Sequence, residues 1–205
     1  MPNYNRIAWV YDRLAKIVFG RKQQLAKRAF LAIIPENARI LVVGGGTGSI
    51  LEYLQDLGGP LDVDFVEYSS HMMFRARKRK TSNLKINFYD LSILDLKTVG
   101  YDVVFTNFFF DQFSADQAHL ILQHLKPKLN PKGILIFSDF VNTNHPWDKV
   151  VTKVMFSFFQ LTAQIKTNRY PPYETLFASL GFHPEQHKRI SRNIVATIYT
   201  LEPPI

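Results

Sequence analysis

From residue 39 onward the chain alternates short apolar runs with stretches of helical periodicity. The runs at 39–43, 62–66, 85–89, 101–106 and 133–138 are rich in Val, Ile, Leu and Phe and read as strands. Between them, helices fit over 48–57, 70–80 and 114–128. Strand and helix in alternation imply right-handed crossovers, hence a parallel sheet with helices on both faces. The end of the chain breaks the pattern. Residues 183–190 and 193–201 are both strand-like, and the link between them, Ser191 and Arg192, is too short for a parallel crossover. The two runs therefore pair antiparallel or lie apart.

Ahead of the first strand, Ile7, Val10, Tyr11, Leu14, Ile17 and Val18 predict a helix over 5–18, and Leu25, Ala29, Phe30 and Ile33 a second over 21–34, closed by Pro35. Residues 146–180 read as a helical insertion rich in Val, Phe and Tyr. The expected organisation is one domain over 1–205: a helical cap at 1–35, a core at 36–140, the insertion, and a terminal strand pair within 183–201.

Composition narrows the chemistry. With 205 residues and 46% hydrophobic content the chain can bury one good-sized core. The absence of cysteine excludes disulfides, thiol nucleophiles and thiolate zinc sites, and suits a reducing, cytoplasmic setting. The six histidines have no metal-ligand spacing, so no metal is expected. Asp12, Arg13 and Lys16 interrupt the apolar N-terminus before a signal core or membrane span forms. The net charge of +8 lies in patches, sharpest at Arg75, Arg77, Lys78, Arg79 and Lys80. That run is either a solvated helix end or a contact for phosphates, an acidic substrate or an anionic membrane.

In an open parallel sheet the ligand crevice lies beyond the carboxyl ends of the strands. After the first strand come Gly44, Gly45, Gly46, Thr47 and Gly48, then a helix: a loop whose amides can approach a ligand closely. After the second comes Glu67, 19 residues past Gly48, suited to accept from vicinal ribose hydroxyls. After the third comes Asp90, an acceptor for an exocyclic amine, with the Leu91 amide beside it as a donor. After the fourth comes Asn107.

The segments 40–48, 67–73, 90–91, 101–107 and 125–137 resemble, in order, the motifs of class I S-adenosylmethionine-dependent methyltransferases. Residues 4–12 resemble the opening of the ubiquinone and menaquinone methyltransferase-like branch, and Leu180-Gly181-Phe182 precedes the tail as in that fold. The resemblance implies an α/β, Rossmann-like, doubly wound sheet of seven strands, mostly parallel, with an antiparallel C-terminal pair. It implies S-adenosylmethionine as cofactor, with Gly44, Gly45, Gly46 and Gly48 around its methionine part and Glu67 on the ribose. Tyr68 and Met72 would flank the adenine, Asp90 and Leu91 would read its edge, and Asn107 would sit near the methionine end. Tyr4 and Tyr11 would close over the cofactor.

Two positions depart from the family pattern: Val42 stands where relatives often carry an acid, and Asp111-Gln112-Phe113 where many carry a histidine. The expected activity is methyl transfer to a small, hydrophobic or aromatic acceptor. The alternatives are a nucleic-acid methyltransferase or a binding protein that keeps the fold without transfer. Candidate bases are Asp111, Asp139, His145 and Asp148. Phe108, Phe109, Phe110 and Phe113, with Trp147, Met155, Phe156, Phe158 and Phe159, are either core or the lining of an acceptor pocket. Oligomeric state is left open.

Overall fold

The computed structural model describes residues 20–146 and 170–202. The described part of the first helix, α1, covers 20–28. There follow β1 (Arg39–Val43), α2 (Ser49–Gln55), β2 (Leu61–Val66), α3 (Ser70–Ala76), β3 (Leu84–Tyr89), β4 (Tyr101–Asn107), α4 (Ala115–Leu125) and β5 (Leu129–Phe140). After the insertion come α5 (Tyr173–Ser179), β6 (His183–Ser191) and β7 (Ile194–Thr200). The expected helix at 5–18, with Tyr4 and Tyr11, lies outside the described residues, as do Trp147, Asp148, Met155, Phe156, Phe158 and Phe159.

Among the described residues the seven strands form one sheet in the order β3-β2-β1-β4-β5-β7-β6. β1 to β5 pair in parallel through four pairings, and β7 inserts antiparallel between β5 and β6. This is the doubly wound arrangement expected from the alternation, and the short link at 192–193 makes the terminal pair a hairpin.

β1 illustrates why the interior strands are apolar throughout. Ile40 and Val42 enter the core on one face, with Leu51, Phe65 and Phe105; Leu41 and Val43 enter the core on the other, with Leu122, Phe137 and Phe177. A strand covered on both sides has no polar face to offer. At the far edge β6 is largely exposed and carries Pro184, Lys188 and Arg189, which discourage pairing with another chain. α4 starts on a capping box, Ser114 with Gln117, and buries Ala118, Ile121, Leu122 and Leu125 along one stripe.

The second expected helix ends earlier than its periodicity predicts. Helical geometry stops at Arg28, and Leu31–Ile33 is a short 3-10 turn. The reason is tertiary. Ala26 and Phe30 reach the core, whereas Leu25 and Ile33, on the expected apolar face, remain 53% and 41% exposed.

The sheet order reverses between β1 and β4, whose neighbours on the outer sides are β2 and β5. In a doubly wound sheet that reversal opens a crevice at the strand ends.

Candidate functional site

A cavity of about 140 Å³ occupies this reversal, lined by Lys27, Val42, Val43, Gly44, Gly45, Gly46, Thr47, Ser49, Ile50, Asn107 and Phe108. It is smaller than the roughly 300 Å³ of an ordinary ligand pocket, so it accommodates one end of a ligand. The rest would lie along the open shelf formed by the ends of β2 and β3.

The loop after β1 is built by close approaches. At Gly44 a side chain would place its first carbon 2.3 Å from Cδ2 of Phe109, so the Phe109 ring occupies that space. At Gly45 the same carbon would meet the Phe65 ring at 2.2 Å. Gly46 differs: its φ is +58°, and nothing lies within 4 Å of where a side chain would begin. That opening belongs to the cavity. Gly48 is buried behind the loop against Ala76 of α3 and does not line the cavity.

Glu67 ties the loop to the end of β2. Its carboxylate accepts the Gly46 amide at 2.8 Å and the Ser69 amide at 2.8 Å. Each oxygen keeps a second lone pair. Beyond it Tyr68 is 77% exposed, Met72 is partly buried, and Asp90 is exposed with its carboxylate accepting from the Ser70 hydroxyl at 3.3 Å. Leu91 is partly buried next to Asp90. Tyr68, Met72, Asp90 and Leu91 follow the ends of β2 and β3 and lie outside the cavity lining.

Asn107 ends β4 on the opposite wall. Both polar atoms of its side-chain amide are buried and have no hydrogen-bond partner within the protein. An unpartnered buried amide costs free energy unless something else satisfies it. A polar ligand group is the natural complement.

Sequence reasoning missed Lys27. It projects from α1 into the cavity, where its ammonium donates to the Ser49 hydroxyl at 2.9 Å and stands 5.9 Å from the Phe108 ring centre. Burial, helped by the nearby Arg79 guanidinium, pulls the amine down to about 8. No spacing rule connects a lysine to a hydroxyl 22 residues away, so only the packing of α1 on the loop brings them together.

Val42, where an acid was expected from the family pattern, is 2% exposed and lines the cavity, leaving Lys27 as the one charged side chain in that lining among the described residues. The cavity therefore favours an anionic group near Lys27 and Ser49, with the Asn107 carbonyl as a neutral acceptor. Those residues fit an amino-acid end group, and the amides, the Glu67 carboxylate and the shelf fit a nucleoside beyond it.

The basic run after β2 is largely spoken for. Arg79 donates to the Thr47 carbonyl at 2.9 Å and to Glu52 at 2.6 Å, clamping the glycine loop from behind. Arg77 lies over the Phe88 ring, and Lys78 over Phe74.

Of the candidate bases, Asp111 and Asp139 are buried outside the cavity lining, and His145 is exposed. Among the described residues no three His, Asp or Glu side chains are grouped to hold a metal ion, and no helix is long and apolar enough to cross a membrane.

Residues 41–135 match a family model described as a methyltransferase domain. That segment belongs to a methyltransferase domain. A malonyl-[acyl-carrier protein] O-methyltransferase of Bacillus cereus is 30% identical over 144 residues, 67% of this chain and 51% of that one. A carboxy-S-adenosyl-L-methionine synthase of Campylobacter concisus is 26% identical over 129 residues, 62% and 54% of the two chains. The chain spans about half the length of the curated relatives it matches. The fold also superposes, with a TM-score of 0.65 and 16% identity, on the Burkholderia thailandensis 1,6-didemethyltoxoflavin-N1-methyltransferase with bound S-adenosylhomocysteine. That match covers 97% of this chain and 89% of the other. The methyltransferase domain thus contains the glycine loop, Glu67, Asp90 and Asn107, while Lys27 and Asp139 lie outside the matched segment.

Proposed function

We propose that the chain holds S-adenosylmethionine across the ends of β1 to β4 and transfers its methyl group to a small apolar or aromatic acceptor. The observation that carries this reading is the Asn107 amide, buried and unpartnered on the wall of a cavity whose other wall is the Gly44–Gly46 loop.

When bound, the cofactor supplies a methyl group made electrophilic by its sulfonium. The chain's own residues do the rest. Lys27 and Ser49 hold the carboxylate, and the Asn107 carbonyl accepts from the ammonium where the acid missing at position 42 would have served. Glu67 keeps its two amides and offers its remaining lone pairs to the ribose hydroxyls. Tyr68 and Met72 flank the adenine, with Asp90 and the Leu91 amide on its edge. Gly48 contributes through the turn that leads into α2, and Tyr11 belongs to the same proposal as a cover from the N-terminal segment.

Phe108 lines the cavity, packs edge-on against Phe140 with ring centres 5.2 Å apart, and Phe140 stacks on Tyr170 at 6.0 Å. This aromatic wall suits a flat, apolar acceptor and keeps water from the reacting atoms. A displacement at a methyl carbon needs donor and acceptor held at about 3–3.5 Å in line, and positioning alone supplies much of the acceleration. Among the described residues no carboxylate or imidazole lines the cavity, which favours an acceptor that is already nucleophilic. The lack of cysteine is compatible with action in a reducing, cytoplasmic compartment.

Calorimetry with S-adenosylmethionine and S-adenosylhomocysteine tests the binding half, with saturable one-to-one binding expected. No heat with either ligand overturns it. Release of S-adenosylhomocysteine in the presence of a panel of small phenols, enols and aromatic amines tests the transfer half.

A further inference from the structure

Asp139, one residue before the end of β5, is completely buried. Its two oxygens accept the Phe110 amide at 2.9 Å and the Phe140 amide at 2.8 Å. Asp111, on the 3-10 turn after β4, is buried as well and acts electrostatically on Asp139. Tyr173, the first residue of α5, feels both acids, and its buried hydroxyl has no hydrogen-bond partner. Tyr170 is the other titratable group acting on that phenol. From the sheet, Asp139 is faced across the ladder by Val195 of β7, which is uncharged. Among the described residues no cation acts on either acid.

Two carboxylates in a dry interior cannot both ionise cheaply unless a cation accompanies them, and none of the described residues supplies one. Burial pushes Asp111 up to about 7, and burial together with the Asp111 charge pushes Asp139 well above the usual carboxylate range.

The pair is connected to the cavity through backbone. Phe110 is anchored on Asp139, and two residues earlier the Phe108 amide donates to the Ser138 carbonyl at 2.7 Å. Between these anchors Phe109 fills the space beside Gly44, and Phe108, held at φ +54°, lines the cavity. A phenylalanine in the left-handed region is strained and stays there only while its neighbours hold it. We propose that Asp111 and Asp139 form one positioning unit that shares a single proton and sets the Phe108–Phe110 wall of the cavity, so that loss of this proton loosens the wall. The cavity's role as a cofactor site rests on the preceding reading; the shared proton does not.

The test uses the whole chain without ligand first. A carboxyl whose folded value is raised stabilises the fold fully below its unfolded value near pH 4, and that contribution is lost as pH rises through the folded value near 7. Asp111→Asn keeps the shape and removes both the titration of Asp111 and its charge beside Asp139. Its melting temperature relative to wild type should therefore climb between pH 5.5 and 8.5. A difference that is the same at both pH values overturns the proposal. Carbon-13 NMR of the wild-type aspartate carboxyls needs no variant. One buried carboxyl should remain protonated at pH 5.5, and the Phe110 amide resonance should move as it ionises. Finding both ionised at pH 5.5 overturns the proposal even if Asp111→Asn fails to fold.

S-adenosylhomocysteine affinity then reads the wall. From pH 6 to 8.5 wild type should lose about fivefold more affinity than Asp111→Asn, Lys27 titrating equally in both. Equal losses overturn the link to the cavity. No binding at any pH, with the melting and NMR results as expected, overturns the cofactor reading and supports the shared proton.

Discussion

The Glu67 carboxylate accepts the Gly46 amide at 2.8 Å, so the acid at the end of β2 holds the loop at the end of β1 in place before any ligand arrives. The same carboxylate accepts the Ser69 amide, which starts the turn into α3. One side chain thus joins two strand ends and keeps lone pairs for a ribose. Glu67→Ala should weaken S-adenosylhomocysteine binding about 10- to 100-fold, equivalent to roughly 1.5–3 kcal/mol of charge-assisted contacts. Calorimetry measures this directly, and unchanged affinity would remove Glu67 from the site.

Lys27 makes a pH prediction. Its amine sits near 8, below the ordinary lysine value, because it is buried beside Arg79. It is charged below that pH and neutral above it. Affinity for a carboxylate-bearing ligand should therefore be strongest below pH 8 and fall as pH rises through it. Lys27→Met should bind about 10- to 100-fold more weakly at pH 7 and lose this component of the pH dependence. Parallel affinity curves for the two proteins across pH 7–9.5 would show that Lys27 does not hold the ligand.

The glycines of the loop separate stability from binding. Gly44→Ala would drive a carbon into the Phe109 ring and strain a left-handed backbone, costing about 2–5 kcal/mol. Gly46→Ala meets no atom and carries only the backbone strain of about 1–2 kcal/mol, yet its methyl enters the cavity. Urea unfolding should rank Gly44→Ala well below Gly46→Ala. Ligand titration of folded Gly46→Ala should show most of its binding gone.

Away from the cavity, Asp64 is 1% exposed and receives the Tyr101 hydroxyl at 2.7 Å, the Asn87 amide at 2.7 Å and an Arg39 nitrogen at 3.4 Å. Tyr101→Phe removes one of the two 2.7 Å links to this carboxylate and leaves a buried oxygen undersupplied. The expected loss is about 1.5–3 kcal/mol, or roughly 3–12 °C of melting temperature, with ligand affinity unchanged. A melting temperature within 1 °C of wild type, where about 1 kcal/mol moves it 2–4 °C, would mean that water replaces the phenol.

What the amino-acid sequence determined by itself is whatever depends on near neighbours along the chain. β1 is apolar at consecutive positions because both its faces are covered, and its five residues are the ones the pattern predicts. The glycine loop, Glu67, Asp90 and Asn107 each follow a strand, and a parallel sheet carries every such position to the same edge. The antiparallel tail follows from a link too short to cross over.

What only the tertiary structure decided is whatever depends on which distant surfaces meet. The packing of α1 brings Lys27 to Ser49, buries Ala26 and leaves Leu25 in solvent, although periodicity favours Leu25. The same kind of contact sends Asp111 and Asp139 into the interior and spends Arg79 on the loop. Charge and polarity are read one residue at a time, but burial and partners are properties of pairs, and pairs far apart in the chain exist only once the sheet has closed over them.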